Sequence, residues 1–164
     1  MRELGEYFTT RDALQRGISP GRLRGPEFDA PFYGVRTVRG GTFGQLVDRD
    51  ERPVGVFETE HIRRAIAFSA IMAEHQFFTH VTAAVLLGLP LPPWLLQGPI
   101  NVGVLEPHRL PRMRGVRGHQ VSARLVVLGT ERRTDLPVTS PSTTWAMLAT
   151  VLRHPYDLIA AGDA

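Results

Sequence analysis

Four prolines fall between residues 90 and 99 of this 164-residue chain, in the run LPLPPWLLQGP. Proline has no backbone donor and a fixed φ, so that stretch cannot be regular structure for long. The chain must be assembled from short elements on either side of it. With 43% hydrophobic and 21% charged residues it has a globular composition and enough length for a real core.

Before the prolines, Thr9 or Thr10 is placed to cap a helix, and Thr9-x-x-Asp12 has the form of a capping box. Ala13 and Leu14 would face inward, and Gly17 would end the helix. Ser19 then caps a second short helix with Pro20 in its first position, carrying Arg22, Leu23 and Arg24 before Gly25-Pro26 stops it. Two short helices around Gly17-Ile18-Ser19 read as a helix-turn-helix. The stretch FDAPFYGVRTV reads as a strand, and TFGQLV and PVGVF as a strand pair around the polar turn 48–52. Helix, turn, helix and hairpin in that order predict a winged helix over residues 1–57.

Residues 58–164 predict a small α+β domain. Thr59 caps a helix reaching about His75, with Ile62, Ile66, Ala70 and Ala73 on one stripe. After a break at Gln76-Phe77-Phe78, Thr79 caps HVTAAVLLG, closed by Gly88 and Pro90. Strands are expected at Ile100 to Leu105, about Gly115 to Val121, and Arg124 to Leu128. Two helices follow, from Ser140 or Pro141 to Arg153 and from Pro155 to Gly162. The overall expectation is an α+β chain: a small N-terminal winged helix-turn-helix followed by a larger α+β unit.

The basic residues narrow the chemistry. All 19 are Arg and none is Lys, which excludes the standard Walker loop, Schiff-base enzymes and the usual carboxylate-carboxylate-Lys nuclease site. A GC-rich genome produces such a bias without selection on function. Whatever its origin, each positive side chain is a planar fork suited to phosphates and guanine edges. The forks concentrate in two places. Seven lie in the first 39 residues, and five lie in PHRLPRMRGVRGHQVSAR, residues 107–124, which holds no acidic residue. That second segment reads as a basic hairpin and a footprint for a polyanion, unless its arginines pair with the acidic stretch 48–60. The candidate DNA contacts are Ser19, Arg22 and Arg24 on the second helix, Arg36 and Arg39 beside the wing, and Arg109, Arg112, Arg114 and Arg117 on the hairpin.

Other chemistries find little support. Without Cys there are no disulfides, thiolate zinc sites or Cys nucleophiles. His75 and His80 are five apart, the wrong spacing for two ligands on one helix face, and no metal or cofactor is expected. Ser140, His154 and Asp157 stand in a plausible triad order, but no nucleophile-elbow pattern surrounds the Ser. No catalytic residues are assigned. The longest apolar stretch, Val81 to Leu91, is far short of the ~20 residues a membrane span needs, and MRELGEYF lacks a signal-peptide core. A cytoplasmic protein without a membrane partner is the expectation.

Three patterns in order carry a family resemblance that covers residues 8–163. FTTRDALQRGISPGRLRG followed by PFYGVR resembles the N-terminal winged helix of AbiEi-type antitoxins of type IV toxin–antitoxin systems. FFTHVTAAVLLGLPLP and LPVTSPSTTWAMLA resemble that group's later helix starts. The chain is also similar to the N-terminal region of actinobacterial proteins that carry a C-terminal very-short-patch-repair-like endonuclease domain, of which no site is expected here. Thr143 stands where the family usually has Arg and Met147 where it has Asp, so contacts made by those residues do not carry over. The resemblance implies a non-catalytic DNA-binding regulator that acts on double-stranded DNA and represses its own operon. Its nucleotidyltransferase toxin would be a genetic rather than a physical partner. Ser19, Arg22, Arg24 and Arg36 carry over to the winged-helix part. The alternative is a protein-interaction or DNA-positioning module left from a nuclease-like protein without its catalytic domain.

Overall fold

The first helix forms where its capping box predicts. In the computed structural model, which describes residues 6–40 and 54–164, Thr9 Oγ1 accepts the backbone N–H of Asp12 at 3.0 Å. This starts α1 (Thr10–Gln15), and Gly17 leaves it at φ +80°. The expected second helix is reduced to a single 3-10 turn, Arg22–Arg24. Ser19 Oγ does accept from Arg22 N, at 3.3 Å, but the stop at Gly25-Pro26 comes too soon for a helix to propagate.

A strand not expected from the sequence, β1 (Tyr7–Thr9), precedes α1. The stretch FDAPFYGVRTV is two strands rather than one, β2 (Phe28–Asp29) and β3 (Val35–Val38), folded at the turn 30–34 where Gly34 takes φ +81°. The three strands form an antiparallel sheet in the order β1-β3-β2. Phe8, Ala13, Leu23 and Phe28 make a small buried cluster beneath it, with Phe8 edge-on to Phe28 at 5.6 Å. The expected strand TFGQLV lies outside the described residues. Its expected partner PVGVF is not a strand where it is described: Val56 and Phe57 open α2 (Val56–Ser69), whose N-cap is Gly55 rather than Thr59.

The second sheet has five strands in the order β6-β5-β4-β8-β7. These are β4 (Gln76–Phe78), β5 (Ile100–Leu105), β6 (Val116–Val121), β7 (Leu128–Thr130) and β8 (Pro137–Thr139). Gln76-Phe77-Phe78, expected only as a break, is the central strand, and α2 ends at Ser69 to make room for it. The strand expected at Arg124 to Leu128 begins only at Leu128. The remaining helices are α3 (His80–Leu86), the one-turn α4 (Pro93–Leu96) among the prolines, α5 (Pro141–Leu148) and α6 (Pro155–Gly162). The α5 helix stops at Leu148 rather than Arg153. One face of the sheet, with Phe78, Ile100, Val102 and Val138, packs on Ile62, Ala65, Val85, Leu86 and Leu148 of the helices. Phe32 and Val35 of the N-terminal hairpin belong to this same cluster.

The Arg-rich segment is not a hairpin. Strands β5 and β6 run parallel, with Ile100 opposite Val116 and Leu105 opposite Val121. Residues 106–115 therefore carry the chain back along the sheet edge as a crossover. It lies on the helix face: Met113 packs on the main cluster, and a Cβ on Gly118 would meet Leu110 and Pro111. Among the described residues, no helix is long and apolar enough to cross a membrane.

Candidate nucleic-acid interface

Five of the nine expected contact residues sit in the N-terminal unit, and its acidic neighbours take up two of them. Arg22 Nε donates to Glu27 Oε1 at 3.0 Å. Arg39 places Nε and Nη2 on Asp29 Oδ1 at 3.0 and 2.7 Å, and this hydrogen bond and charge hold its pKa above the usual guanidinium value. Arg36 is half-buried and donates to the carbonyls of Leu23 (2.9 Å) and Val35 (2.9 Å), which ties β3 to the 3-10 turn. Ser19 is exposed and spends its hydroxyl on Arg22 N. Arg24 is exposed on the 3-10 turn, and its side chain has no hydrogen bond or ion pair among the described residues.

The other four residues behave differently. Arg109, Arg112 and Arg114 on the crossover and Arg117 on β6 are all exposed, and none of their side chains makes a hydrogen bond or ion pair among the described residues. The cause is in the sequence: residues 107–124 contain no carboxylate to fold back on. The crossover also lays its arginines along one edge of the five-stranded sheet instead of at the tip of a hairpin. Three forks on the crossover and a fourth on the other face of the edge strand β6, all unpaired among the described residues, flank one side of the sheet with positive charge that an anionic polymer can neutralise.

Sequence reasoning missed a cluster beside Arg117. In parallel register Asn101 faces Arg117 and Gly103 faces His119, so these four residues share the sheet face away from the helices. Phe77 lies opposite Gly103 on that face, and its ring occupies the space a Cβ there would need. His80 stacks on His119 with ring centroids 3.9 Å apart. It does so from φ +48°, a left-handed conformation that few residues other than glycine adopt.

The hydrogen bonds fix both tautomers. Asn101 Nδ2 donates to Pro99 O (3.3 Å), so its Oδ1 accepts from His119 Nε2–H at 2.9 Å and leaves Nδ1 bare. Thr79 Oγ1 donates to Met147 Sδ (2.9 Å) and accepts from His80 Nδ1–H (3.2 Å), which leaves Nε2 bare. Burial, with His119 and Arg117 close by, pushes the His80 pKa down to about 4. Burial and then Arg117 lower that of His119. The neutral pair thus offers two acceptor nitrogens next to a cation. No local signal reveals this, because the paired residues are distant along the chain, from 16 positions for Asn101 and Arg117 to 68 for Thr79 and Met147.

The remaining sequence candidates are accounted for locally. His75 stacks on His108 at 4.3 Å, away from His80's partner. Ser140 Oγ caps α5 by accepting from Thr143 N, and His154 stacks on Tyr156. Among the described residues no three His, Asp or Glu side chains gather as a metal site. No protein-family model matches the chain, and no curated protein matches it.

Proposed function

We propose that the chain is a non-catalytic DNA-binding protein of the antitoxin-like regulator kind, with the Arg-rich crossover as its principal contact. One observation carries this reading: Arg109, Arg112, Arg114 and Arg117, on and beside the edge strand β6, are exposed and without a carboxylate partner among the described residues. Exposed guanidinium groups not neutralised within the chain are the electrostatic footprint of a phosphate backbone. The N-terminal unit is read as a reduced winged helix that positions rather than drives binding, with Arg24 as its available fork. Double-stranded DNA is the partner, in the cytoplasm, and a nucleotidyltransferase toxin is linked to it genetically rather than by contact.

The test is a salt titration on duplex DNA. Each phosphate neutralised contributes about −0.9 to the slope of log K against log salt, so four contacts give about −3.6. No detectable binding at ~50 mM salt would end the DNA reading. The second reading, a protein-interaction or DNA-positioning module, is favoured by one feature: Trp145 and Ile159, both exposed, line a recess with Leu89 and Ala161. That reading stands if the titration gives a flat line.

A further inference from the structure

We infer that Tyr33 is a stacking platform for an unpaired DNA base, set between two arginine-lined recesses. This rests on the DNA reading above and adds the residue and the kind of DNA it takes.

The side chain is 91% exposed although its neighbours are firmly held. Phe32 is buried and packs edge-on against Phe68 of α2 at 5.4 Å. Val35 N donates to Phe32 O at 3.1 Å, and Thr10 N donates to Gly34 O at 2.7 Å. The turn is therefore fixed on both sides of Tyr33 while the ring stands in water. An aromatic there adds nothing to the core, and the turn itself, which relies on Gly34 at φ +81°, does not require one.

Two recesses meet at this ring. One is lined by Thr10, Tyr33 and Arg36. The other is lined by Tyr33, Arg64, Met113 and Arg114. The guanidinium of Arg36 is pinned by two backbone carbonyls, and Arg64 Nη2 is pinned by Leu96 O and Gly98 O at 3.0 and 2.9 Å. Arg114 makes no ion pair among the described residues. Glu60 is the acidic residue whose charge reaches Arg64. An exposed ring on a backbone held at both sides, with positive charge in a hollow on each side, matches the alternation of phosphate and flat base along a nucleic-acid strand. Bases within a duplex are already stacked on each other, so this ring takes a base that is not: one in an overhang, a fork or a single strand.

The experiment measures affinity by fluorescence anisotropy for a blunt duplex and for the same duplex with a short single-stranded overhang. Wild type, Tyr33→Ala, Tyr33→Phe and Arg114→Gln are compared, with thermal melts to confirm that each folds. Tyr33→Ala should bind the overhang DNA roughly tenfold more weakly, keep its affinity for the blunt duplex and keep the salt slope, because the ring carries no charge. Tyr33→Phe should behave as wild type. Arg114→Gln should weaken both and reduce the slope by about one. Undiminished overhang binding by Tyr33→Ala, or an equal loss on both DNAs, overturns the platform. Absence of binding by wild type overturns the DNA reading itself.

Discussion

In the N-terminal unit, Arg22 and Arg39 close onto Glu27 and Asp29, and Arg36 is consumed by backbone carbonyls. On the crossover and β6, four arginines point into solvent with no carboxylate within their own segment. Both groups look alike in a count of basic residues. The difference is local composition: Glu27 and Asp29 flank the 3-10 turn, whereas residues 107–124 contain no acid at all. Surface ion pairs of this kind contribute little to stability but remove charge from the outward field. An excess of Arg thus marks a polyanion surface only where the acids are elsewhere.

The largest expected effect separates the two groups directly. Replacing Arg112, Arg114 and Arg117 together with Gln should weaken duplex binding roughly 10²–10³-fold near 50 mM salt and lower the salt slope by about three units. Replacing Arg22 and Arg39 with Gln should change the affinity less than about threefold, since their charge is already offset. Anisotropy titrations at three salt concentrations check both. Equal losses in the two variants would break the comparison.

A pH series tests whether the two regions also differ in stability. His61 is fully buried between α2 and α4: its Nδ1–H donates to Leu96 O at 2.9 Å and its Nε2 accepts from Thr82 Oγ1 at 2.9 Å, which in turn accepts Asn101 N at 2.7 Å. Burial first, then the charge of Arg64, pushes its pKa down to about 4, although the bond to Leu96 works the other way. The unfolded chain takes up this proton near pH 6.5 and the folded chain does not. Stability from His61 is therefore complete above about pH 6.5 and is lost as the pH falls toward 4, by roughly 3 kcal/mol in all. His80 and His119, also lowered, act in the same direction. Thermal melts between pH 7.5 and 4.5 should show a steep fall that His61→Gln flattens. Hydrogen exchange should place the acid-induced opening around α2 and α3, because the small N-terminal cluster holds no buried His.

How far the sequence anticipated this molecule depends on whether the deciding interaction was local. The capping box at Thr9, the strand Ile100 to Leu105 and the helix from Pro155 were legible because each is set by neighbours a few residues away. The crossover was misread as a hairpin because the alternation of Arg with Leu, Met and Val suits a strand in either direction. The crossover 106–115 returns the chain so that β6 pairs parallel to β5, and β4, the strand between β5 and β8, is only three residues long. Eight of the nine candidate contacts are arginines that charge alone cannot tell apart. Their division into tied and available forks required knowing where Glu27, Asp29 and two carbonyls fall, and the His80–His119 pair required the register of β5 on β6.

A smaller effect concerns Arg36, which sequence reasoning grouped with the DNA contacts. Its two carbonyl partners make it a strut between β3 and the 3-10 turn. Arg36→Gln should cost ~1–3 kcal/mol, because Leu23 O and Val35 O lose a charged donor. Arg22→Gln, which breaks only an exposed pair, should stay within ~0.5 kcal/mol. Chemical denaturation of the two variants side by side reads the difference, and an Arg36 variant as stable as wild type would remove the strut.

The smallest effect is the sharpest probe of what the N-terminal unit does. If Glu27 and Asp29 merely screen Arg22 and Arg39 from a DNA backbone that passes close by, then Glu27→Gln with Asp29→Asn releases two forks and removes two negative charges. Duplex affinity should then rise about two- to fivefold, with a steeper salt slope, because each new phosphate contact adds about −0.9. If the unit instead faces away from the DNA, the same variant leaves both affinity and slope where they were, since charges more than about 10 Å from the backbone are screened at 0.1 M salt. The crossover would then carry the electrostatic attraction by itself, and neither Arg24 nor Tyr33 would reach the DNA.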